Sequence, residues 1–339
     1  MKLRNSYGQS IIPSDFIFLK LLLEFAMARY VDIHCKDFIL MMLLIFFGSS
    51  ISWAAKCDLK EGISTSLEHS GLCNFNVKSR SFEGTPAQQA SCLTREVKRL
   101  GIIGNETISP FLKDLFGEAV PSISRVQFLL DSQQIKAEDV GGDLSTPISA
   151  NYFIIHDTSA PNCSDKGSLA SCKTRGEFPP DRDNANWNYN INYGGHPKKY
   201  TNRVAHVFTN RIGSSITEVN LAEHIATTKF ESCVDVSAKV NLFVGVENIQ
   251  PRLGDPKIPS PGKKVNDFDS PTPGFTNTQY ERLALIYLVA SSRRGQWMIP
   301  AFHAVLDQYY RDGHDDPQKF NMEEFSKAVQ KYIKSLTSI

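Results

Sequence analysis

The sequence predicts an α/β protein from Asn151 onward, preceded by a small, mainly helical segment. Three observations carry this. Strand-like apolar runs and helix-like stretches alternate after residue 150. The run "YFIIH" from Tyr152 is apolar without alternation, which suits a strand buried on both faces. Two long stretches, "TNTQYERLALIYLVASSRRG" and "NMEEFSKAVQKYIKSL", repeat their apolar residues at helical spacing.

At the start of the chain, the apolar run from Phe38 to Phe47 has the length of a signal-peptide core and is short for a membrane span. Ser52 and Ala54 are small residues suited to cleavage after Ala54, and Arg29 and Lys36 supply the positive flank. A leader beginning at Met27 has a normal length, so residues 1–26 read as an overlong N-terminus. An N-terminal membrane anchor is the alternative. Lys56 before Cys57 argues against a lipoprotein.

Residues 55–145 form the expected helical accessory domain. In "TPAQQASCLTREVKRLG", Thr85 can cap, Pro86 fits the first turn and Gly101 follows the end. Leu93, Val97 and Leu100 would then share one face. "VQFLLDSQQI" adds a helix, and "GGDLSTP" reads as a linker. In the second domain, residues 146–339, "YFIIH", "VAHVFTN" and "NLFVGVEN" read as strands. A long helix follows, with Leu283, Ile286, Tyr287 and Ala290 on one face. "MIPAFHAV" is a short apolar run. The closing helix has Asn321 as N-cap with Glu324 three residues on, and buries Phe325, Val329, Tyr332, Ile333 and Leu336. Two long polar segments, from about 161 to 203 and from Pro251 to Gly274, interrupt this core.

The chain has 339 residues, 41% hydrophobic and 22% charged, with a net charge of +1. That balance shows no whole-chain preference for nucleic acid or an anionic surface. Of seven cysteines, Cys35 would leave with the leader. The remaining six, in an exported protein, read as disulfides. Cys163 and Cys172 bracket a short loop and are the favoured pair. Cys57, Cys73, Cys92 and Cys233 leave three pairings open. There is no C-x-x-C for a cysteine zinc site and no G-x-S-x-G nucleophile elbow.

Polar groups end three apolar runs: His156 after "YFII", Glu247 after "NLFVGV" and His303 after "MIPAF". "GHDDP" follows with His314, Asp315 and Asp316. Two histidines and a carboxylate are a ligand set for catalytic zinc, with a fourth position left for water. A further carboxylate could take the proton of that water, and Glu247 is the candidate. An ordinary hydrogen-bonded histidine remains the competing reading of each position. His206 can be a core histidine and His224 likewise. His196 reads as a solvated loop residue. Trp187, Tyr189 and Tyr193 either stack on sugar rings or pack their own loop.

The same residues carry a resemblance. "YFIIHDTS" resembles the "IHHT"-like strand end of the zinc-dependent N-acetylmuramoyl-L-alanine amidases of type 2, which share a fold with the peptidoglycan-recognition proteins. "VAHVFTNRIGSSI", "LAEHIAT", "VGVEN", "FTNTQYERLALIYL" and "AFHAV…HDDPQKFNMEEF" are similar to that family's later motifs, in order, over roughly residues 150–335. The resemblance implies a mixed central sheet flanked by helices and zinc held by His156, His303 and Asp316. It implies Glu247 as the group activating water, with His206 and His224 lining the groove. The implied reaction is cleavage of the amide between N-acetylmuramic acid and L-alanine, in peptidoglycan or its fragments. The expected protein is exported, monomeric, without a nucleic-acid partner and without a stable membrane span once the leader is removed.

Departures from the pattern locate the uncertain roles. Where the family often has an oxyanion-stabilising lysine, this chain has His314, whose charge has a pH limit near about 6.5. Lys319 is the substitute. Gln318 replaces a glycine after Asp-Pro. The stretch from His303 is longer than expected, so Asp315 competes with Asp316 as third ligand. A non-catalytic peptidoglycan-binding module is the alternative function.

Overall fold

A computed structural model describes residues 73–76, 78–98, 102–158, 204–234, 241–250, 270, 274–308, 310 and 313–337. The expected leader, the Cys163–Cys172 bridge, His196 and the aromatic residues Trp187, Tyr189 and Tyr193 lie outside the described residues.

A five-stranded mixed sheet forms the centre of an α/β fold. Its strands are β5 (Tyr152–Asp157), β6 (Val207–Thr209), β7 (Ser215–Thr217), β8 (Phe243–Asn248) and β9 (Ile299–Phe302), in the order β7-β6-β8-β5-β9. β6, β8, β5 and β9 run parallel, and β7 is antiparallel to β6. Every residue of β5 and β8 is buried, as expected for parallel strands covered on both faces. The alternation of side chains shows the two covers. The Tyr152 ring meets Phe82 and Phe243, while the next residue, Phe153, meets Tyr287 edge-on.

The Tyr287 side is covered by helix α5 (Asn277–Arg294), with α7 (Met322–Thr337) and α3 (Ile123–Ser132) against it. Thr276 and Gln279 close a reciprocal capping box at the start of α5, and Gly295 ends it with φ 78°. The helix is buried nearly all round, beyond the single face expected, because α3 and α7 flank it. Arg293 donates to the carbonyls of Gly141 and Thr146, so the expected linker is pinned to the fold. Asn321 caps α7 through the amides of Glu323 and Glu324. The box is one-sided: the Asn321 amide donates to the Tyr280 hydroxyl, and Glu324 pairs with Lys327. Phe325, Val329, Tyr332 and Leu336 are buried as expected, while Ile333 is only partly covered.

The opposite side is covered by the hairpin of β1 (Phe75–Asn76) and β2 (Ser81–Phe82), by α1 (Pro86–Leu93) and by α4 (Lys229–Val234). Phe75, Phe82, Phe230, Phe243 and Tyr152 form one aromatic cluster there. Burying one such ring is worth about 1.5–3 kcal/mol. Cys73 and Cys92 are bridged, tying the hairpin to the end of α1, and Cys233 is also disulfide-bonded.

The single helix expected from Thr85 to Leu100 is corrected. α1 stops at Leu93, and the chain continues as a hairpin of β3 (Arg95–Lys98) and β4 (Ile102–Glu106). The Thr94 hydroxyl donates back to the Ala90 carbonyl at the break. Val97 is buried from a strand, not from a helix face. A short α2 (Pro110–Leu115) follows, its cap Ser109 sharing a hydrogen bond with Ser326 of α7. The buried residues of this N-terminal segment and of the sheet belong to one continuous apolar cluster. Among the described residues no helix is long and apolar enough to cross a membrane.

Candidate metal centre

Parallel strands deliver their C-terminal ends to one edge of a sheet, where ligands commonly bind. β5 and β8 are in register there, so His156 lies beside Glu247 and Asp157 beside Asn248. On the other side of β5, β9 ends at Phe302 and His303 opens the four-residue helix α6 (His303–Leu306). The third contributor is the 313–318 turn. Asp157 holds it in place: its amide donates to Asp316 Oδ2 at 3.1 Å, and its carboxylate accepts from the Gln318 amide at 2.8 Å.

His156, His303 and Asp316 converge at this edge, all three buried. Nδ1 of His156 lies 3.0 Å from Nδ1 of His303 and 3.5 Å from Asp316 Oδ2. Nδ1 of His303 lies 2.9 Å from Asp316 Oδ1. Ligand atoms around a tetrahedral divalent ion with bonds of about 2.0–2.2 Å stand roughly 3.3–3.6 Å apart. The three donors are close to that spacing and aimed at one another. Asp316 Oδ1 is buried and makes no hydrogen bond despite its short approach to His303. A buried carboxylate oxygen in that state needs positive charge. The donor set therefore fits a metal ion, and it selects Asp316 over Asp315.

The outer nitrogens are held from behind. His303 Nε2 lies 2.9 Å from Asp307 Oδ2. Asp307 also accepts the amides of Lys229 and Phe230 at the start of α4. His156 Nε2 lies 3.3 Å from the Thr227 hydroxyl, and that hydroxyl lies 2.7 Å from Glu231 Oε2. Partners of this kind orient metal-bound histidines. Sequence reasoning missed them. The spacing of Asp307, four residues after His303, was the one available signal.

Electrostatics follow from burial and proximity. Burial, then the charge of His303, pushes His156 down to about 4. Burial opposes protonation of His303, but Asp316 and Asp307 outweigh it and hold its pKa well above the usual imidazole value. Burial would raise Asp316, yet the charge of His303 outweighs it and holds its carboxyl well below the usual range. Burial pushes Glu231 up to about 7 against the amides and hydroxyl that bond it. The cluster is thus a dry pocket of carboxylates and imidazoles in which one buried positive charge, a protonated His303 or a metal ion in its place, balances Asp316.

Two further predicted residues border it. Glu247 Oε1 is 4.0 Å from His156 Nδ1. The His314 ring stacks on His303 with centroids 4.7 Å apart, and its Nδ1 is 3.9 Å from Asp316 Oδ1. The His314 side chain is 36% exposed, so it faces the outside of the cluster. One expectation is corrected. His206 does not line a groove: it is fully buried, Nε2 bonds the Glu223 carbonyl at 3.0 Å, and Nδ1 accepts from the Gly245 amide at 3.1 Å. Both ring nitrogens are committed to backbone, which makes it a core histidine. Lys319 Nζ donates to the Ser270 carbonyl at 2.7 Å. His224 sits partly exposed in the loop before α4.

Compared with known proteins, the chain matches no family model, no curated protein and no solved structure.

Proposed function

We propose that the chain is an exported zinc-dependent N-acetylmuramoyl-L-alanine amidase acting on peptidoglycan or its fragments. The observation that carries this reading is the convergence of His156, His303 and Asp316 at the carboxyl edge of a parallel sheet, with Glu247 on the neighbouring strand. Those are the positions that the resemblance to type 2 amidases marks as ligands and water-activating base. The disulfide at Cys73–Cys92 supports an oxidising compartment.

In this reading His156, His303 and Asp316 hold zinc through Nδ1, Nδ1 and a carboxylate oxygen. Zinc bound there supplies a water acidified to about pKa 7 and a Lewis acid for the scissile carbonyl. Glu247 accepts the proton of the attacking water and passes it to the amine of the departing L-alanine. His314, stacked on His303 and partly exposed, donates to the oxygen that gains charge as the amide carbon is attacked. Asp157 keeps Asp316 in reach by fixing both ends of its turn.

The test is hydrolysis of a defined muramyl peptide, read by mass spectrometry for a peptide with a free amino-terminal alanine. Release should stop with a chelator and return with zinc, and His156→Ala should lose activity and metal together. A His156→Ala variant with full hydrolysis would sink the zinc mechanism. Binding of the muropeptide without release would favour a recognition module.

A further inference from the structure

We propose that Thr227 and Glu231 act as positioning residues that hold the proton of His156 on Nε2, so that Nδ1 is presented to the metal as a bare lone pair. The inference rests on the metal-centre reading above and goes beyond the ligands themselves.

The argument is one of counting donors. Glu231 Oε2 receives the backbone amides of Thr227 at 2.7 Å and Thr228 at 2.8 Å. Amides only donate, and two of them on Oε2 make it the better acceptor, so a carboxyl proton is favoured on the other oxygen. The Thr227 hydroxyl, also 2.7 Å from Oε2, is therefore the donor in that contact. A hydroxyl has one proton. With it spent on Glu231, Oγ1 offers only lone pairs to His156 Nε2, 3.3 Å away. Nε2 must then carry the hydrogen. A neutral imidazole has one N–H, so Nδ1 is left unprotonated, and Nδ1 is the atom that faces His303 and Asp316.

The relay has little freedom to rearrange. Glu231 is 1% exposed. On its other side Thr227 rests on Gly245 of β8, where an added Cβ would stand 2.6 Å from both Cγ2 and Oγ1 of the threonine. A side chain at that strand position would drive the hydroxyl away from His156. The glycine thus sets the seat of the threonine.

The full chain, labelled with nitrogen-15 in histidine, provides the test. In the metal-free protein, nitrogen chemical shifts should assign the proton of His156 to Nε2. Competition with a chromophoric chelator then gives zinc affinity. Thr227→Val keeps the shape and removes the hydroxyl. It should weaken zinc 10- to 100-fold, the usual effect of losing such a partner, and mix the tautomers of His156. Thr227→Ser should restore both. A proton on Nδ1 in the unsubstituted protein overturns the proposal, whether or not any variant folds. So does Thr227→Val with unchanged tautomer and zinc affinity, or equal losses in Val and Ser, which would mean packing alone. Failure of the unsubstituted chain to bind zinc would instead remove the metal reading, and the tautomer would still decide the relay.

Discussion

Replacing Tyr152 with phenylalanine tests whether the N-terminal segment folds as part of the body that holds the candidate metal centre. The Tyr152 hydroxyl accepts from the Phe82 amide at 2.8 Å and donates to Gln89 Oε1 at 3.0 Å. It is the polar joint between the central strand β5 and the segment carrying β2 and α1. Tyr152 is 1% exposed and Phe82 3% exposed, so neither group can turn to solvent in place. Tyr152→Phe keeps the edge-on ring contact with Phe82 and deletes only the oxygen. A buried amide left without a partner costs about 1–3 kcal/mol, and a lost neutral hydrogen bond about 1 kcal/mol. Gln89 is 8% exposed and can recover part of its share. The expected loss is about 2–3 kcal/mol, or a fall of roughly 1 M in the urea midpoint at a slope of 2–3 kcal/mol per molar. Urea unfolding followed by far-UV circular dichroism and by tryptophan fluorescence should show one shared, shifted transition. A shift under about 0.2 M would refute the orphaned-amide account. A separate early transition that alone moved would show that the segment folds apart from the sheet.

Two further outcomes are expected. Asp307→Asn turns an amide donor toward a site where His303 Nε2 and the Lys229 amide already donate, so zinc affinity should fall about 10- to 100-fold in a chelator competition; unchanged affinity would dismiss Asp307 as an orienting group. His206 is held down to about 4 by burial, against an unfolded value near 6.5, so the folded state binds fewer protons between those limits. Its contribution is present above pH 6.5 and is lost as pH falls toward 4, by about 3 kcal/mol in all. His206→Asn should flatten that part of the stability profile measured by urea titration at each pH.

The parts legible in sequence are those where local pattern and tertiary demand agree. β5 and β8 announce themselves because strands covered on both faces need unbroken apolar runs. α5 announces itself because Leu283, Ile286, Tyr287 and Ala290 recur at helical spacing, and all four are buried. The convergence of His156, His303 and Asp316 as a candidate ligand set was legible because each member ends a run or precedes a proline. The hairpin after α1 was not, since Leu93 and Val97 stand four residues apart, as on one helix face, and Val97 is the only buried residue of β3, too few to show a strand period. Only the turn-back of Thr94 and pairing with β4 decide between them. His206 stayed open between core and groove because a histidine alternating with apolar neighbours looks the same whether its nitrogens meet substrate or the Glu223 carbonyl and Gly245 amide. Thr227, Glu231 and Asp307 act through contacts between α4, β5 and α6, and no spacing in the chain encodes these as a set.

The sheet terminates on β7, whose outer side would ordinarily offer unpaired peptide groups to any extended chain. Here that rim is short and latched: the Ser215 hydroxyl donates to the Asp139 carbonyl, and the Thr217 hydroxyl accepts from the Gly141 amide. The 137–141 turn thus lies across the rim like a hem, and the same glycine's carbonyl is tied to Arg293 of α5. Strand addition from a second molecule must first unpick these bonds. At this edge the hem works against pairing with a second molecule, and loosening the 137–141 turn would uncover β7 while leaving the candidate metal centre at the far side of β8 intact.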